Sequence, residues 1–163
     1  MLDQQDIKEK LINWIINFLE VPNQQLNNWA PCPFARQARV KDNISYKFCT
    51  VAEFADVLRE STYILEQKDV VVICFDHTYI DPLTLQKWVE DKNKMLIPAG
   101  YVILEDHPDA LEFINGVRMN FGHCGLLLMQ KLDKLNIASE QLRNKGYYDV
   151  WSTDELDSVV SWR

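Results

Sequence analysis

Two short apolar runs, Val70-Val-Val-Ile-Cys-Phe75 and Tyr101-Val-Ile-Leu104, constrain the fold of this chain more than any other feature. Both are rich in β-branched residues and too short to be buried helices, so both read as strands. Between them Asp81-Pro82 opens a segment with Leu85, Trp88 and Val89 at helical spacing, predicting a helix over residues 81–94. Strand, helix and strand make a βαβ unit, and a crossover of this length requires parallel strands. If adjacent, their carboxyl ends lie about 5 Å apart. Each strand leads into an Asp-His pair, Asp76-His77 and Asp106-His107, spaced 30 residues apart. Parallel strands present these pairs to one sheet edge, where open α/β sheets keep their sites.

The flanking segments extend the α/β pattern. Ile7, Leu11, Ile15, Phe18 and Leu19 recur at helical spacing and predict a first helix over residues 3–20, ended before Pro22. Ile44, Tyr46 and Phe48 alternate with polar residues, the pattern of a half-exposed strand. Thr50-x-x-Glu53 is a capping box that opens a helix over residues 50–67. Pro108, with Leu111 and Ile114 three residues apart, predicts a short helix stopped by Gly116. Leu126 to Leu132 suits a strand or the start of a helix. A helix through Leu135, Ala138 and Leu142 and a final one capped by Ser152-x-x-Glu155 close the chain. The expected architecture is a single α/β domain over residues 1–163, a small sheet with a βαβ core, in a ferredoxin-like or thioredoxin-like layout.

Composition narrows the function classes. A net charge of −7 argues against nucleic acid held by phosphate contacts and against an anionic membrane surface. No run approaches the roughly 18 apolar residues of a membrane span. The first helix is interrupted by charges and lacks a cleavage site, so it is not a signal peptide. Four cysteines without close pairing suit free thiols in the cytoplasm.

Three groups of residues carry candidate chemistry. Pro33 suits the first position of a helix, which puts Cys32 at its N-cap, where unpaired N–H groups favour a thiolate. Arg36 adds positive charge four residues on. His77 and His107, with Asp76 and Asp106, have the donor types of a zinc or non-haem iron site or of an acid–base pair. The structural alternative is that the aspartates cap helices and the histidines fill turns. His123-Cys124, between two glycines, is a weaker candidate for a ligand role.

Cys32-Pro-Phe-Ala-Arg36, followed by Ala38-Arg39-Val40, resembles the opening of omega-like glutathione transferases. It is also similar to glutaredoxins, whose second cysteine corresponds to Ala35. A longer resemblance, over residues 10–130, is to a bacterial family of unknown function. Its Cys-Pro-Phe-Ala motif falls on Cys32 to Ala35, its strand-terminal histidine on His77 with Pro82 beyond, and its His-Pro-Asp motif on His107-Pro108-Asp109 with Phe113 following. The family's Asn-Arg-Ser-Pro segment has no counterpart around Met119 to Gly122. This resemblance groups Cys32, His77 and His107 without lending a reaction.

The leading expectation is a small cytoplasmic enzyme acting on a small molecule or peptide. It would bind zinc or iron through Cys32, His77 and His107, or use an activated Cys32 thiolate, with Arg36, Asp76 and Asp106 in support. The alternative is a non-catalytic interaction module in which the histidines are structural and aromatics such as Trp29 and Trp151 form a partner surface.

Overall fold

A computed structural model describes residues 2–163. Helix α1 (Gln4–Trp14) is capped by Asp3 and continues directly into a π-helical turn, Ile15–Leu19. A short helix α2 (Ala35–Val40) precedes strand β1 (Ile44–Cys49). The Thr50 capping box forms as its sequence requires, Thr50 N–H donating to Glu53 Oε2 at 2.7 Å, and leads into α3 (Phe54–Ile64). Strand β2 (Val70–Phe75), helix α4 (Pro82–Leu96) and strand β3 (Tyr101–Asp106) follow. Asp81 caps α4, its carboxylate accepting the Thr84 N–H at 3.0 Å.

The segment after Pro108 is not the expected short helix. It is a hairpin of β4 (Phe113–Ile114) and β5 (Val117–Arg118). Asn115 and Gly116 between them take positive φ, 46° and 82°, the geometry that suits a two-residue hairpin turn. Strand β6 (Gly125–Lys131), helix α5 (Leu132–Asn144) and helix α6 (Thr153–Val159) complete the chain.

The four long strands form a mixed sheet in the order β1-β2-β6-β3. β1 and β2 are parallel, and β6 runs antiparallel to both β2 and β3. The strands 70–75 and 101–106 are therefore parallel to each other, as expected, but not adjacent. β6 lies between them and doubles their separation to about 10 Å.

One sheet face is closed by α3 and α4. The row Val71–Met129–Ile103 on that face is 0 % exposed at every position, packed with Phe54, Leu58 and Leu85. Gly125 belongs to this packing, because a Cβ there would stand 2.2 Å from the Phe75 ring. The opposite face packs Ile44, Val72 and Cys74 against Ile7, Leu11 and Ile15 of α1 and the following turn. A smaller cluster of Leu26, Ile114 and Val117 lies under Trp29 and Trp151.

Candidate ligand-binding cleft and histidine rim

At the carboxyl ends of β2 and β3 the two histidines do meet. Their rings stand edge to face with centroids 5.4 Å apart. They meet although β6 lies between their strands, His77 opening the turn His77–Tyr79 that follows β2. His107 is 3 % exposed and both ring nitrogens are engaged by backbone. Asp109 N–H donates to Nδ1 at 3.1 Å, so Nε2 carries the proton and donates it to the Ile80 carbonyl at 2.9 Å. His107 thereby ties the β2–α4 connection to the end of β3. The His77 ring makes no such bond, and its Nδ1 is buried without a partner.

The aspartates also serve the backbone. Asp76 accepts from Thr78 N–H at 3.1 Å and from its hydroxyl at 2.7 Å, and these bonds hold its carboxyl below the usual range. Asp106 caps no helix. Its oxygens accept Asn120 Nδ2–H at 2.7 Å and Phe121 N–H at 2.8 Å, pinning the loop that leads into β6. Burial outweighs these bonds and pushes the Asp106 carboxyl up, as it does those of Glu105 and Glu112 nearby.

Cys32 is not an N-cap. Phe34 holds that position of α2, and Cys32 lies in the turn before it, its carbonyl accepting Ala35 N–H. Burial pushes the thiol up, and the charge of Glu20 adds to the shift. Backbone N–H groups of Phe34 and Ala35 offset only part of it. Arg36 is exposed on the surface beside Pro33 and Val40, and the positive charge gripping Glu20 is Arg39, at 2.6 and 3.0 Å. Among the described residues no three His, Cys, Asp or Glu side chains stand together in a way that could hold a metal ion. With His107 fully engaged by backbone, the donor set expected for zinc or iron does not fit one centre. His123 is exposed against Phe121, while Cys124 is buried beside the Cys74 thiol.

The larger feature lies beneath this rim, on the α1 side of the sheet. Val72, Leu128 and Leu104 form one row across β2, β6 and β3. Leu128 and Leu104 are only half-buried, although Leu128 sits on a central strand. They floor a cleft that is part of a continuous open space of about 1520 Å³, whose lining also takes in Gln86, Glu90 and Asn93 of α4 on the other face. Leu11 and Ile15 wall one side, Leu135 and Leu142 of α5 another, and Trp151 and Val160 a third. Cys32, Asp106 and His107 border the same cleft. Tyr147 anchors the third wall through its hydroxyl, which donates to the Pro31 carbonyl. Trp29 and Trp151, expected on a partner surface, are instead half-buried around Tyr147, with ring centroids at 5.7 and 5.8 Å.

The sequence reading missed this wall because its residues, from Leu135 to Trp162, look like ordinary amphipathic helices. The one visible signal is aromatic density, Tyr147, Tyr148 and Trp151 within five residues. Comparison with known protein families, curated proteins and solved structures finds no match.

Proposed function

We propose that this protein binds a small, mainly apolar molecule in the cleft between the sheet and its carboxyl-terminal segment. One observation carries the reading. The two faces of the same sheet are finished differently, with Val71, Met129 and Ile103 sealed at 0 % exposure while Leu128 and Leu104 stay open behind them. Leaving two leucines half-open in mid-sheet costs burial energy of about 1 kcal/mol or more each. A ligand that completes the packing recovers it. The four cysteines are unpaired, which suits a protein of the cytoplasm. An enzyme built on Cys32, His77 and His107 has less support, since His107 has no free nitrogen and burial holds Cys32 toward the thiol.

The test is saturable binding of a neutral apolar fluorophore, N-phenyl-1-naphthylamine. One site per chain is expected, and Leu128→Trp, which fills the floor, should weaken binding more than tenfold while far-UV circular dichroism stays unchanged. Non-saturable binding, or equal binding by the filled variant, would overturn the reading.

A further inference from the structure

We infer that the ligand of this cleft is a monocarboxylate with an apolar tail, its carboxylate seated against Arg163 and Trp151. The inference rests on the binding function proposed above and specifies the chemistry of the head group. Two hydrogen-bond donors that line the cleft are buried and have no partner, Nε–H of Arg163 and Nε1–H of Trp151. Buried donors are nearly always satisfied, so two orphans in one cavity call for an acceptor from outside the chain. Tyr148 joins them, its ring 5.1 Å from that of Trp151 and its hydroxyl within reach of the Arg163 guanidinium.

Arg163 also makes no salt bridge to an Asp or Glu side chain among the described residues. Its side-chain bonds go to neutral hydroxyls, Nη2–H to that of Ser139 at 2.6 Å and the guanidinium to that of Tyr148. The other cations along this wall are already committed, Lys131 to Glu66 at 3.1 Å and Lys134 to Asp69 at 3.5 Å. A planar guanidinium with an open Nε–H edge matches a carboxylate in fork geometry. The indole N–H supplies a further donor to the same anion. Asp106 and Glu112 also border the cleft, and a carboxylate head group is disfavoured beside them, which leaves the Arg163 and Trp151 donors to receive it. The apolar floor of Leu128 and Leu104 takes the tail.

Decanoate, decanol and decylamine share one tail and differ in head group, so competition of each with N-phenyl-1-naphthylamine isolates the head-group preference. Decanoate should displace the fluorophore at about tenfold lower concentration than decanol, and decylamine should be the weakest, a difference of about 1.4 kcal/mol per tenfold step. Arg163→Gln should bring decanoate down to the level of decanol and leave decanol unchanged, whereas Arg163→Lys should keep most of the preference. Trp151→Phe should lower decanoate affinity selectively. If all three compounds compete equally, or decylamine competes best, the carboxylate assignment is wrong and the cleft remains a binding site. If the fluorophore itself does not bind saturably, the proposed function fails and this inference fails with it.

Discussion

His107 shows how one side chain separates two readings that the sequence left open. A rim histidine that serves a metal is dispensable for folding. One whose two nitrogens bond Asp109 N–H and the Ile80 carbonyl is a structural staple. His107→Ala should therefore cost about 2–4 kcal/mol in urea unfolding, since it opens a cavity and strands two buried backbone groups. His77→Ala should cost less than about 1 kcal/mol, because it removes a ring with an unpartnered nitrogen. Equal, small effects would return both histidines to the rim-site reading. Cys32 gives a second test at this scale. Its alkylation by iodoacetamide follows the thiolate fraction, so a thiol pushed above its ordinary range should react about tenfold faster per pH unit and show no plateau below pH 9. A plateau near neutral pH, read by peptide mass spectrometry, would restore the activated thiolate. Cys32 and His107 both border the cleft. The sequence misplaces Cys32 because the N-cap position depends on where the helix actually starts, and Pro33 lies two residues before Ala35.

Elements were legible wherever a local rule decided them. The strand at 70–75, the Asp81-Pro82 helix start and the capping boxes at Thr50 and Ser152 all depend on residues within four positions of one another. The hairpin at 113–118 is masked because Leu111 and Ile114 mimic a helical repeat and Gly116 reads as a helix stop, although Asn115-Gly116 is a strong hairpin signal. Strand order was not legible at all. Nothing local to β2 or β3 specifies that β6, from 50 residues beyond β2, will lie between them. That insertion leaves β3 at the sheet edge, and Asn93 of α4 covers the exposed backbone. Its Nδ2–H donates to the Ile103 carbonyl at 2.9 Å while its Oδ1 accepts Ile103 N–H at 3.0 Å, as a neighbouring strand would. Asn93 is 5 % exposed, so Asn93→Ala leaves both backbone groups buried and unpaired. The expected cost is about 2–5 kcal/mol in urea unfolding, with Asn93→Asp at least as costly at neutral pH because a carboxylate then faces the Ile103 carbonyl. A loss below about 1 kcal/mol would mean that water replaces the amide and the edge is open.

At the scale of the whole molecule, the unequal finish of the two sheet faces divides stability from function. The α3–α4 side is sealed and holds the main core. The other side is roofed by segments distant in sequence, α1 with its π turn and the chain from α5 onward, and the cleft lies where they fail to close over β6 and β3. None of the helices is long and apolar enough to cross a membrane among the described residues. A ligand that fills it binds the folded chain and not the unfolded one, and so raises stability by mass action. At a hundredfold excess over its dissociation constant the gain is about 2.7 kcal/mol, which for a chain of this size raises Tm by about 5–10 °C. Decanoate should produce this shift in the wild type and lose it in Leu128→Trp. The same ligand should slow amide hydrogen exchange in residues 147–163, whose packing against the sheet it completes, by more than the uniform gain shared by all amides that exchange through global unfolding. No extra protection of residues 147–163 above that uniform gain would mean that the ligand binds elsewhere, and the cleft would then be only a packing defect.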